Sequence, residues 1–113
     1  MNFSINPLSH CDHIKISGRI DSYTAPKIQD ALDSLIRKGQ YNILVDMQDV
    51  SYLSSSGILV FLDAQRKLKG QGNGKMILTN LPPNIFSVFE IVGLENVFNC
   101  CEDVQSAEER FQK

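Results

Sequence analysis

Strand-length apolar runs separated by amphipathic helical segments constrain this chain more than any other feature. "HIKISGRI" (13–20) alternates, with Ile14, Ile16 and Ile20 on one side and Lys15, Ser17 and Arg19 on the other. That is a half-buried strand. Gly18 interrupts the inward row and predicts a bulge or a close backbone approach. "YNILVDM" (41–47) and "KMILTN" (75–80) are compact apolar runs, as in strands covered on both faces. Between and after them lie segments of helical period. In 21–39, Ile28, Leu32, Leu35 and Ile36 form one stripe, Ser22 or Thr24 can cap the start, Pro26 fits the first turn and Gly39 ends it. Residues 57–72 form a second helix ending near Gly70 or Gly72. In 81–93, Ile85, Val88, Phe89 and Val92 share a face. A short strand at 2–5, a last strand at 96–101 and a closing helix at 103–113 complete the series. In that helix Asp103 is the N-cap, and Val104, Ala107 and Phe111 face inward.

The order β-β-α-β-α-β-α-β-α predicts an α/β fold. Its sheet is mostly parallel but mixed, of about five strands with about four helices, and the two opening strands form an antiparallel or edge pair. The 113 residues suit one domain, 1–113. With 42% hydrophobic and 21% charged residues, a core is feasible without staples.

Composition also narrows function. The net charge is −2, and the only basic cluster, "RKLK" (66–69), lies on a helix without interleaved aromatics. A solvated face is expected there, not a nucleic-acid site. Cys11, Cys100 and Cys101 are odd in number and include an adjacent pair, which fits buried free thiols in a reducing compartment. In "HCDH" (10–13) a strand sends Cys11 and His13 one way and His10 and Asp12 the other, too few ligands per face for a structural metal. No apolar run approaches the roughly 20 residues that span a bilayer. "MNFSINPLSH" lacks the basic and apolar regions of a signal peptide, so a cytoplasmic protein without a membrane partner is expected.

The junction "YLSSSGILVFLDA" (52–64) concentrates the chemistry. Loop 48–54 would join the carboxyl end of a central strand to a helix start, where sites gather in open α/β sheets. Ser54, Ser55 or Ser56 can be the N-cap, contributing about 1 kcal/mol without further function, and Gly57 can admit close packing. A phosphoryl group would also be tolerated at a helix start, and would add about −1.5 to −2 charges to the surface. A serine nucleophile fits poorly: the elbow needs glycine two residues before Ser55, and position 53 is leucine. "GQGNG" (70–74) lacks the lysine and hydroxyl of a phosphate-binding loop and reads as a connector.

Gly18 and Asp21 before the first helix, Asp46 closing a strand, and Ser55, Ser56 and Gly57 before the second helix occur in fixed order. With the flanking stretches 17–32, 42–64 and 72–103, they resemble the STAS domain of bacterial anti-sigma factor antagonists over nearly the whole chain. The resemblance implies a switch protein, not an enzyme, with no catalytic residue, metal or cofactor. Ser55 is the implied phosphorylation site, with Ser54 and Ser56 as alternates. Implied partners are an anti-sigma factor that is also an ATP-using, GHKL-type serine kinase, and a PP2C-type serine phosphatase. Unphosphorylated, the antagonist binds the kinase and frees the sigma factor. The family has Asp where this chain has Ser54.

The expected docking surface combines Asp21, Ser22 and Thr24 with Leu53, Ser54, Ser56 and Gly57, and with Ile58 and Phe61 if these escape the core. Asp21 can equally serve its own turn by accepting local N–H groups. An unphosphorylated scaffold and a small-ligand or nucleotide sensor are the alternative functions.

Overall fold

A computed structural model describes residues 1–72, 74–94 and 96–111. Five strands form one sheet in the order β1-β2-β3-β4-β5. They are β1 (Asn2–Pro7), β2 (Asp12–Ile20), β3 (Asn42–Leu53), β4 (Lys75–Thr79) and β5 (Asn99–Cys101). β1 is antiparallel to β2, and the remaining pairs are parallel. The helices are α1 (Ala25–Arg37), α2 (Ser55–Lys69), α3 (Pro83–Ile91) and α4 (Val104–Phe111). This is the expected mixed α/β sheet. Gln112 and Lys113 of the expected closing helix, and Asn73 of the expected connector, lie outside the described residues.

Strand alternation sorts the core into two unequal layers. Ile14, Ile16, Ile43, Val45, Met47, Met76 and Leu78 face α1, α2 and α3, meeting Leu32, Phe61 and Phe89. On the opposite face Leu44 and Ile77 form a smaller cluster with Cys11, Ala107 and Phe111, under α4, with Leu8, Cys101 and Val104 packed against it. The Cys11 thiol is buried there, which, with the nearby Glu108 and Asp12 charges, pushes its pKa up to about 11. It stays protonated, as an inert core thiol does.

Four expectations are corrected. β3 does not end at Met47 but runs to Leu53, because the far half of β2 pairs with it, from Ser17–Asp49 to Ile20–Leu53. Register shifts at Lys15/Ser17 and Gly18/Arg19 accompany this, and Gly18 has φ +91°. A Cβ there would lie 3.2 Å from Met1 Cα, the close approach expected of a glycine. α2 begins at Ser55, two residues earlier than expected. On α3, Ile85 and Phe89 are buried, but Val88 and Val92 are exposed; Val92 already lies past the last helical residue. The final strand is three residues, not six. Other readings hold: Pro26 sits in the first turn of α1, and Asp103 Oδ1 caps α4 by accepting from Ser106 N at 2.8 Å.

Candidate functional site

β2 and β3 end side by side, with Arg19 beside Tyr52 and Ile20 beside Leu53, so the turns leaving them share one edge of the molecule. In the second turn the chain leaves the sheet at Ser54, whose N–H donates to Ile20 O at 2.9 Å. Ser54 is extended (φ −84°, ψ 171°) and is the N-cap of α2. Its Oγ accepts from Gly57 N at 3.3 Å, and its carbonyl accepts from Ile58 N at 3.1 Å. Of the three candidate caps, Ser54 is therefore the one used. Ser55 is exposed and Ser56 half-buried, both in the first turn of a 15-residue helix with no acidic residue in that turn. The positive end of the helix dipole is thus not offset locally by a carboxylate.

Gly57 sets how close this helix start comes to the sheet. A Cβ there would lie 2.5 Å from Leu53 Cδ1 and 2.7 Å from Ile20 Cγ2. Only a residue without a side chain fits, and this presses α2 onto the ends of β2 and β3.

The first turn is held by its own side chains. Asp21 Oδ1 accepts from Tyr23 N at 3.0 Å and Thr24 N at 3.1 Å, and lies 3.2 Å from Thr24 Oγ1. Thr24 Oγ1 accepts from Asp21 N at 2.8 Å and lies 2.9 Å from Arg19 O, where it can donate. Thr24 occupies the N-cap of α1 without capping it; the reciprocal pair with Asp21 engages its hydroxyl instead. The Thr24 N–H, with smaller help from Tyr23 N–H and Arg19, holds the Asp21 carboxyl below the usual carboxylate range. Arg19 Nε is 3.9 Å from Asp21 Oδ2, and its guanidinium stacks 4.2 Å above the Tyr52 ring.

The residues expected at this edge are therefore brought together, but not all of them face outward. Leu53, Gly57 and Ile58 are buried, and Phe61 has no exposure at all. They position the turn from beneath. The apolar groups that do face solvent are Leu59 at 64%, Tyr23 at 89% and Tyr52 at 41% exposure, none of which the sequence reasoning named. Leu59 had a signal: it follows Ser55 by four residues, so the two share a helix face. Behind this face, Lys67 Nζ bridges Asp33 of α1 at 2.8 Å and Asp63 at 2.9 Å, tying α2 to α1.

A cleft of about 460 Å³ opens beyond β4 and β5, lined by Asn80, Leu81, Phe86, Cys100, Cys101 and Glu102. No basic side chain stands among these described lining residues, which does not suit a nucleotide phosphate. No helix among the described residues is long and apolar enough to cross a membrane.

A mixed five-stranded sheet whose third strand delivers a serine-capped helix start beside an aspartate-held turn defines the class. The chain belongs to the STAS domain family, whose profile matches residues 8–107. The anti-sigma-B factor antagonist of Listeria monocytogenes is 38% identical over 100 residues, covering 86% of this chain and 87% of the relative. Among solved structures, an anti-sigma factor antagonist from Mycobacterium paratuberculosis superposes with a TM-score of 0.89 at 20% identity, covering 99% and 94% of the two chains. The Bacillus cell fate determinant SpoIIAA in its phosphorylated form superposes at 0.75 with 23% identity, covering 96% and 98%. At these identities the two structures establish the fold.

Proposed function

We propose that this chain is an anti-sigma factor antagonist controlled by phosphorylation of Ser55, acting in the cytoplasm by binding rather than by catalysis. Unphosphorylated, it docks on an anti-sigma factor that is also an ATP-using, GHKL-type serine kinase, and the sigma factor is freed. The kinase transfers the γ-phosphoryl group of ATP to Ser55 Oγ, ADP leaves, the hydroxyl proton is lost, and the complex dissociates. A PP2C-type phosphatase hydrolyses the phosphoserine and resets the cycle.

One observation carries this reading. Of the three serines, only Ser55 is exposed at the helix start, while Ser54 uses its oxygen as the cap and Ser56 is half-buried. The site tolerates a phosphate locally, because the first turn of α2 offers the positive end of a dipole and no acidic neighbour of its own. One turn along the same face lies exposed Leu59. A dianion there would have to be desolvated on docking, which opposes binding of any partner that covers Leu59. Ser54, in place of the family's Asp, keeps the cap and leaves the acceptor without an adjacent carboxylate.

Phosphosite mapping by mass spectrometry on protein from its native cells, growing and stressed, tests this reading directly. Phosphate at Ser55 that varies with condition is expected. Phosphate confined to Ser54 or Ser56 would overturn the assignment, and none under any condition would favour the scaffold. With the cognate kinase, Ser55→Glu should weaken binding by roughly tenfold or more, about 1.4 kcal/mol, with the melting temperature nearly unchanged.

A further inference from the structure

The two edges of the sheet differ in how they are protected. β5 is only three residues long, which limits pairing. β1 is six residues, "NFSINP", all exposed, with no charged side chain and with proline only at its last position. Natural edges of that length usually carry a charge, a bulge or a cover.

The ladder fixes which backbone groups β1 leaves free. Leu8 N donates to Cys11 O at 2.8 Å, so this pair belongs to the hydrogen-bonded set. Antiparallel pairs alternate, and the register continues through Asn6–His13, Ser4–Lys15 and Asn2–Ser17. The N–H and C=O groups of Phe3 and Ile5 therefore point away from β2, towards the open edge. Their side chains lie on the core face, opposite Ile16 and Ile14, yet each remains 38% exposed.

We propose that β1 pairs with β1 of a second copy of this chain, giving a dimer with one continuous ten-stranded sheet. A two-fold axis at Ser4 places Phe3 opposite Ile5 of the partner and Ile5 opposite Phe3. Both residues present outward groups, so the pairing closes four main-chain hydrogen bonds. Because facing residues on antiparallel strands project to the same side, Phe3 and Ile5 of the two copies form two aromatic–β-branched pairs on the core face. A register shifted by one residue would set apolar against polar faces. The pairing uses one edge per copy and closes on itself, so assembly stops at two. One strand per copy buries little area, so the dimer is weak and concentration-dependent. The Ser55 edge lies at the ends of β2 and β3 and stays open in both copies.

Sedimentation of the whole chain over a wide concentration range tests this, with thermal melts to check folding. The unaltered protein should pass from monomer to dimer and no further. Ile5→Pro removes an N–H that the β1–β2 ladder does not use, and should weaken association roughly tenfold or more. Ser4→Glu and Ser4→Lys each set like charges against each other at the two-fold axis and should each be monomeric, while an equal mixture should regain the dimer. A monomer at every concentration would overturn the proposal. So would a dimer that persists in both single Ser4 variants, or a mixture that gains nothing over its components.

Discussion

The turns that follow β2 and β3 stand side by side and make the same step, from strand end to helix start, with opposite economies of polar groups. In the β2–α1 turn, Asp21 and Thr24 bind each other and the local backbone, so neither has its main polar atom free. In the β3–α2 turn, one serine suffices for the cap, and the next hydroxyl is left to solvent. A turn whose polar groups are all engaged and one that leaves a hydroxyl exposed can thus both be built from short polar side chains at the same step. The difference is how many backbone N–H groups the side chains are required to serve.

The sharpest way to break the contrast is Gly57→Val. It drives a branched side chain into Leu53 and Ile20, and overpacking of this kind costs about 1–3 kcal/mol, with the upper end expected here. Urea unfolding should show a lower midpoint at an unchanged slope. Asp21→Ala comes next, since two backbone donors and the Thr24 hydroxyl lose an acceptor together. Its pH dependence identifies the cause. The folded carboxyl is held below its usual value, so its contribution is complete above the unfolded value of about 3.9 and is lost as pH falls through the folded one. The melting-temperature gap between the parent and Asp21→Ala should therefore be constant near neutrality and close in acid. The smallest effects come from the serines. Ser54→Ala should lower stability by about 1 kcal/mol as a lost cap, whereas Ser55→Ala should stay within about 0.5 kcal/mol. Equal losses for the two serines would erase the distinction between cap and free hydroxyl.

Much of this was legible because alternation and helical period are local. Ile14, Ile16 and Ile20 face inward as read, as do Ile28, Leu32 and Leu35. The second half of β3 was not legible. Gln48, Asp49, Ser51 and Tyr52 are exposed there, and the bulged register places Val50 and Leu53 inward out of simple alternation. "ILVFL" (58–62) hid the outward residue for a different reason. Five consecutive apolar residues cover every side of a helix, so the apolar pattern alone does not single out Leu59; only its spacing of four from Ser55 does. Val88 of α3 and Val92 just past its end failed in the opposite sense, being apolar by type but left uncovered.

The order of elements, the inward rows of β2 and α1, and three hydroxyls before a glycine at a strand-to-helix junction can all be read from the residues alone. These follow from side-chain spacing along one segment. Which serine caps and which stays free depends on packing between distant segments. The chain leaves β3 where Ser54 N meets Ile20 O, and α2 can start there because Gly57 leaves room for the Ile20 side chain. Ile20 lies more than thirty residues away in the chain. Its position beside Ser54 depends on parallel pairing across the sheet, which no local pattern around the serines encodes.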